Sequence, residues 1–266
     1  MIRNHTSTLT FHDMAQWRSI VASPIEIVTY SNSHQFINKK RCENVGYIEA
    51  ITLLNDSLYI IKCMPTPEQL RYRIINHHTG AIINSYDSII NCNRYISSFT
   101  NSFERYEGHI ISHGYQSNDI LECTLDSSKI RYKINVDNRI PPAGFYTQEG
   151  KEGMQLIQEE AEKGYIGHIP DYVESKETIL LSFKGKREDL NGIALIDKKD
   201  GNARVLENIK FDDNFRWLPK QFFSLDEGWC AMLMYPEDVL KKEEFARRFP
   251  GLDEESNPVL FIGKLR

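Results

Sequence analysis

Short apolar runs, alternating or continuous and cut by Gly, Asp, Asn and Pro, follow one another along almost the whole chain. The clearest block lies between Tyr165 and Phe211. Runs at Tyr165 to Val173, Thr178 to Phe183, Gly192 to Asp197 and Ala203 to Phe211 predict four strands in succession. The polar breaks between them, at Glu174 to Glu177, Lys184 to Asn191 and Lys198 to Asn202, are turn segments of the kind that join antiparallel neighbours.

The same phrase recurs on both sides of this block. Tyr47-Ile48 leads through Asn55-Asp-Ser57 to Leu58-Tyr-Ile-Ile-Lys62, and Tyr95-Ile96 leads through Glu104 to Gly108 to His109-Ile-Ile-Ser-His113. A weaker copy starts at Trp217-Leu218, turns at Asp226-Glu-Gly228 and continues as Trp229 to Met234. Third strands are expected at Leu70 to Ile75, Asp119 to Cys123 and Ile193 to Ile196, and fourth strands at Ala81 to Tyr86, Ile130 to Val136 and Ala203 to Ile209. A repeated four-stranded meander of about 45 to 70 residues has the size of a propeller blade.

The expected fold class is therefore all-β: a β-propeller of four-stranded antiparallel blades, about four to five of them, with two short helical insertions. Residues 1–266 read as one propeller domain. A partial N-terminal blade and connection occupies 1–45, with strands at Thr8 to His12 and Ile25 to Tyr30 and a polar link from Ser31 to Val45. Blades follow over 46–90 and 91–140, then a loop and helix insertion over 141–163, a blade over 164–213 and a C-terminal blade with a helix over 214–266. That arrangement holds about seventeen strands, whereas a six-bladed ring needs about twenty-four. The helices are expected at Lys151 to Lys163, with Met154, Ile157 and Ala161 on its apolar face, and at Pro236 to Arg248.

Composition supports the class and narrows the partners. The chain has 13 Tyr and 13 Phe, which favour pleated, half-buried surfaces. A net charge of -5 with both signs interspersed leaves no basic stripe, so nucleic acid is not an expected partner. No run is long and apolar enough to span a bilayer, and Met1 to Asp13 lacks the layout of a secretory signal. The five cysteines, Cys42, Cys63, Cys92, Cys123 and Cys230, are scattered and never spaced as Cys-x-x-Cys, so they read as plain thiols.

The ending Asp253-Glu-Glu-Ser-Asn-Pro-Val-Leu-Phe-Ile-Gly-Lys-Leu-Arg266 and the phrase from Ile120 to Pro142 resemble the six-bladed β-propeller family of Bacteroides-type bacteria, which is itself similar to TolB-like and NHL-like propellers. The resemblance covers Gly46 to Arg266. It implies a lipoprotein-related, exported protein of the periplasm or outer membrane, and a chain that starts about a blade and a half late. It implies no activity.

Candidate chemistry is sparse. In a propeller the first strand of each blade lines the central channel, where ligands commonly sit. Arg94 and Arg216 precede the repeated aromatic position, and His168 follows it in the third copy. A guanidinium fork suits a carboxylate, so these three are the candidate ligand-binding residues, for a small anionic or carbohydrate ligand. The plainer reading is hydrogen bonding across blade ends. Glu49 and Asp171 alone are placed for a hard cation, too few oxygens for a metal site, and no metal or other cofactor is expected. Ser182 and Ser224 lack a nucleophile setting, so no catalytic residue is assigned. The leading expectation is a non-enzymatic ligand- or protein-binding propeller of the bacterial cell envelope. The alternative is a channel-centred hydrolase or lactonase acting on a sugar-derived or other small substrate.

Overall fold

A computed structural model describes residues 9–13, 18–23, 26–30, 35–41, 48–63, 70–88, 103–113, 118–136, 139–142, 144–148, 150–151, 153–185, 188–207, 209–212, 215–219, 222–225, 227–241 and 243–265. The first sheet holds β1 (Leu9–Asp13), β2 (Arg18–Ser23), β3 (Glu26–Tyr30) and β4 (Phe36–Arg41); the second holds β5 (Ile48–Asn55), β6 (Leu58–Cys63), β7 (Leu70–Asn76) and β8 (Ile82–Ser88). The third holds β9 (Phe103–Tyr106), β10 (His109–Ser112), β11 (Asp119–Cys123) and β12 (Ser128–Lys133). After helix α1 (Gly153–Lys163), the fourth holds β13 (Ile166–His168), β14 (Tyr172–Glu174), β15 (Thr178–Gly185), β16 (Gly192–Asp197) and β17 (Ala203–Val205). A small hairpin, β18 (Ile209–Asp212) with β19 (Phe215–Trp217), leads to a last sheet of β20 (Phe222–Ser224), β21 (Trp229–Met234) and β22 (Val259–Lys264). Helices α2 (Pro236–Leu240) and α3 (Glu243–Arg248) lie between β21 and β22.

The sheets are antiparallel, and in the fourth both β13 and β14 pair with β15; the inner strands of the larger sheets touch in succession, β1 with β5, β5 with β9, β9 with β14 and β14 with β20. The apolar clusters sit between successive sheets. Ile27 packs with Ile51 and Tyr59 between the first and second, and Ile60 and Tyr72 with Ile110 between the second and third. Tyr106 and Ile120 join Tyr172 and Leu181 between the third and fourth, and Val173 and Leu180 join Phe222 and Met232 next to the last. Second strands are therefore covered on both faces. That is why Leu58-Tyr-Ile-Ile and Thr178-Ile-Leu-Leu read as continuous apolar runs and not as alternation. The fold is a β-propeller.

Turn chemistry repeats with it. The β7–β8 and β16–β17 turns share a hydrogen-bond scheme: Gly80 N–H donates to Asn76 O and Gly201 N–H to Asp197 O, with Gly80 at φ 77° and Gly201 at φ 73°. Asn76 and Asp197 each accept a backbone N–H two residues on.

Five expectations need correction. The segment 1–45 was expected to carry half a blade, and 9–41 instead forms a full four-stranded sheet. The unread strands were Arg18–Ser23 and Phe36–Arg41; the latter hides behind Lys39, Lys40 and Arg41, charges that suit an outermost strand. Glu104 to Gly108, expected as a turn, is strand up to Tyr106, closed by the two-residue turn Glu107-Gly108 at φ 50° and 77°. The expected Ala203 to Phe211 strand stops at Val205, where Leu206 N–H turns back to Ile193 O; Ile209–Asp212 pairs forward with β19. On α1 the buried residues are Leu156 and Glu160, while Met154 is 74% exposed, because the Glu160 carboxylate accepts the Tyr146 hydroxyl at 3.2 Å. The second helix is split into α2 and α3.

Candidate functional site

The inner strands β5, β9, β13 and β20 all begin at one end of the sheets, and there the fourth sheet is irregular. His168 pairs with Lys184 and Tyr172 with Leu181, so Ile169, Pro170 and Asp171 sit opposite only two residues of β15. This is a β-bulge, a device that bends a strand and re-aims its groups. Pro170 has no N–H to give. Asp171 is held on both sides by Ser182: its N–H donates to Ser182 Oγ at 3.1 Å, and Oδ2 accepts the Ser182 hydroxyl at 2.6 Å. Burial pushes the Asp171 carboxyl up to about 6, against the Ser182 hydrogen bond and the charge of Lys184.

The bulge leaves Ile169 O to the neighbouring sheet, where His113 Nδ1 meets it at 2.9 Å. A carbonyl only accepts, so Nδ1 carries the proton and Nε2 the lone pair. Burial, then the charge of Lys62, pushes His113 down to about 3, so its ring is neutral at ordinary pH. Lys62, from the second sheet, donates to His113 O at 2.7 Å and stands 3.7 Å from Glu49 Oε2. It is only 3% exposed; burial first and Arg71 second push its ammonium down to about 7, with Glu49 opposing. Three sheets thus place one lysine, one neutral histidine and one protonatable carboxyl at the same end of the fold.

A second polar centre ties the third and fourth sheets at the opposite end. The fully buried Glu174 carboxylate receives Arg131 Nε at 3.0 Å and Nη2 at 2.9 Å, the Tyr172 hydroxyl at 2.7 Å, the Tyr132 hydroxyl at 3.0 Å and Lys198 Nζ at 2.7 Å. Its own backbone N–H donates to Glu104 Oε1 at 2.9 Å. Burial works against the charge of Glu174, but the Arg131, Lys198 and Tyr172 hydrogen bonds outweigh it and hold the carboxyl below its usual value. A carboxylate so fully engaged is a latch between blades. At that end too, a cleft with room for about one water lies against Thr29, Tyr59 and His77, too small for an organic ligand.

Of the candidate ligand-binding residues, Arg94 lies outside the described residues. His168 is on β13, 8% exposed, beside the bulge. Arg216 is on β19 opposite Lys210, and only its backbone is described. Glu49 and Asp171 are engaged by Lys62 and Ser182, and among the described residues no group of three or more His, Cys, Asp or Glu is arranged to hold a metal ion. Ser182 both donates and accepts toward Asp171, which leaves its hydroxyl tied into the strand pairing. Cys63, Cys123 and Cys230 are buried and in no disulfide among the described residues, and burial pushes the Cys230 thiol up to about 11; Cys42 and Cys92 lie outside the described residues. Sequence reasoning missed Lys62 and His113, because each sits inside an ordinary strand phrase. The one available signal was a lysine in the apolar run Leu58 to Cys63.

No family model matches the sequence, and no curated protein does. By shape, the chain superposes on a Bacteroides fragilis protein named as an exported one, with a TM-score of 0.74 and 10% identity over 97% of this chain and 77% of that chain. It is also similar to the WD40 propeller domain of Doa1 (TM-score 0.43, 13% identity, 74% of this chain and 52% of that chain) and to the Neurospora crassa Pan2 WD40 domain (0.46, 10%, 87% and 59%). Among the described residues no helix is long and apolar enough to cross a membrane.

Proposed function

We propose that residues 1–266 form a single propeller domain of the six-bladed, TolB-like or NHL-like kind that binds a small anionic ligand without transforming it, in the bacterial cell envelope. The observation that carries this reading is the commitment of every described candidate for chemistry at the bulge end. Asp171 and Ser182 hold each other, His113 Nδ1 is spent on Ile169 O, and Lys62 is spent on His113 O. Buried Lys62 and half-buried Arg71 bring cationic side chains to that end. Arg94, His168 and Arg216 supply the direct contacts in this reading, with guanidinium forks facing a carboxylate or sugar acid. The location rests on the exported character in the name of the Bacteroides fragilis structure and on the Asn257-Pro258-Val259 ending.

Binding only to the folded state raises the melting temperature, by the equivalent of about 2.7 kcal/mol at a hundredfold excess over Kd. A thermal-shift panel of sugar acids, dicarboxylates and the matching neutral sugars tests the idea. Acidic members should raise the melting temperature of the wild-type chain, and the double variant R94A/R216A should lose that rise while melting like the wild type without ligand. An equal response to acidic and neutral sugars, or to none, defeats the proposal.

A further inference from the structure

The seam between the first and second sheets holds a small cleft at the end away from the bulge, with room for about one water. Its floor is apolar, Ile27 from β3 and Ile75 from β7, but its walls are polar. The first sheet supplies Thr29 from β3 with Asn38 and Lys40 from β4; the second supplies Tyr59 from β6 and His77 just past β7. Thr29, Tyr59 and His77 are 2%, 2% and 7% exposed, so these groups face the seam and not bulk water.

Strand pairing explains the convergence. Ile27 lies opposite Lys40 and Thr29 opposite Asn38, so the Asn38 and Lys40 side chains leave β4 on the face that packs against the second sheet. Lys39 takes the other face, where its ammonium meets Glu26 at 2.8 Å. Lys40 has no such counterpart. No carboxylate lines the cleft, and among the described residues Lys40 makes no ion pair and the Asn38 amide no hydrogen bond. Arg73, two residues before Ile75 on the same face of β7, adds a guanidinium that is 8% exposed and whose Nε meets no hydrogen-bond partner among the described residues. Across the mouth, Thr29 Oγ1 and Tyr59 Oη stand 3.5 Å apart, the outer limit of a hydrogen bond and a spacing that suits a bridging particle.

We propose that this cleft binds a single small monovalent anion of the halide class, chloride above all, held by the Lys40 ammonium, the Asn38 amide and the Thr29 hydroxyl, with Tyr59 and His77 closing it from the second sheet. Charge selects the ligand: an ammonium among hydrogen-bond donors attracts an anion and repels a cation. Size then excludes phosphate, sulfate and carboxylates, whose several heavy atoms exceed the space of one water. Both sheets line the cleft, so an occupying ion strengthens the docking of the first sheet on the second. The site lies at the opposite end of the fold from Lys62 and His113 and is independent of the ligand proposed there.

Chlorine NMR of the intact chain reads occupancy directly, because an ion exchanging on and off a protein broadens the bulk line. The wild type should broaden the chloride line in excess of K40M, and bromide should remove that excess. T29V, which keeps the shape and drops the hydroxyl, should weaken binding about tenfold, the worth of a hydrogen bond to a charged group. K39M, next along β4 but on the opposite face, should behave like the wild type. Thermal melts give a second readout. At equal ionic strength the wild type and K39M should melt about 2 to 4 °C higher in chloride than in methanesulfonate, an anion too large for the cleft, and K40M should show no difference. No excess broadening, an excess as large in K40M as in the wild type, or a melting difference shared equally by K39M and K40M would each overturn the proposal and leave the cleft to water.

Discussion

Lys62 shows what a strand position can do to a side chain. A lysine in an unfolded chain titrates at about 10.4, whereas this one, buried beside Arg71, is pushed down to about 7. Between those values the unfolded chain holds a proton that the folded one has shed, so stability climbs as pH rises from about 7 toward 10.4; below 7 the whole cost of the buried charge is present. Urea melts of the wild type at pH 7 and 9.5 should differ by about 1 to 3 kcal/mol, with the higher pH more stable. K62M removes the titration and should flatten that difference. Equal slopes in the two proteins would show that Lys62 does not titrate in this window. Asp171 runs the other way: its raised pKa makes stability fall as pH rises from about 4 to 6.

At the scale of elements, α1 is attached through a glycine. A Cβ on Gly167 would lie 2.2 Å from Tyr146 Oη and 2.8 Å from Glu160 Oε1, so the strand can approach the helix only where residue 167 has no side chain. G167A should push α1 off β13 and cost about 1 to 3 kcal/mol, the usual range for overpacking. Chemical denaturation measures the loss. The double variant G167A/Y146F, which removes the hydroxyl oxygen that the added methyl would meet first, should recover part of the loss, with Glu160 Oε1 still in the way. The bulge next to it is equally local in origin. Pro170 removes one ladder donor, Ser182 takes over Asp171, and Ile169 O is left to reach His113 in the neighbouring sheet.

Between sheets, the Glu174 latch is the test of how far the blades act together. E174Q removes the charge that Arg131 and Lys198 face while keeping the shape, and breaking a buried ion pair of this kind costs about 3 to 5 kcal/mol. The carboxyl of Glu174 is held below its usual value, so its contribution is present above about pH 4.3 and is lost as pH falls through the folded value. E174Q should therefore melt lower than the wild type at pH 7 and lose less on acidification. Hydrogen exchange should show reduced protection in β10 to β12 and β14 to β16, the sheets the latch joins, with β6 and β7 much less affected. Loss of protection spread evenly over all sheets would mean that the molecule opens as one unit.

What the sequence determined by itself was the repeat. Apolar runs at Leu58, His109, Thr178 and Trp229, each with a turn on either side, encode strands whose faces are both covered, and that requirement is local enough to read without a structure. The pairing of Val259–Lys264 with Trp229–Met234 was likewise foreseeable from the order of the runs. Strands dominated by charge, such as Phe36–Arg41, were not, because an outermost strand is held by its neighbour's backbone and not by its own apolar side chains. The polar centres were decided only in three dimensions. His113 meets Ile169 across 56 positions, Lys62 meets His113 across 51, and Arg131 meets Glu174 across 43. Such meetings depend on strand register and on how one sheet stacks on the next, and a one-residue slip in register would turn each of these side chains to the opposite face.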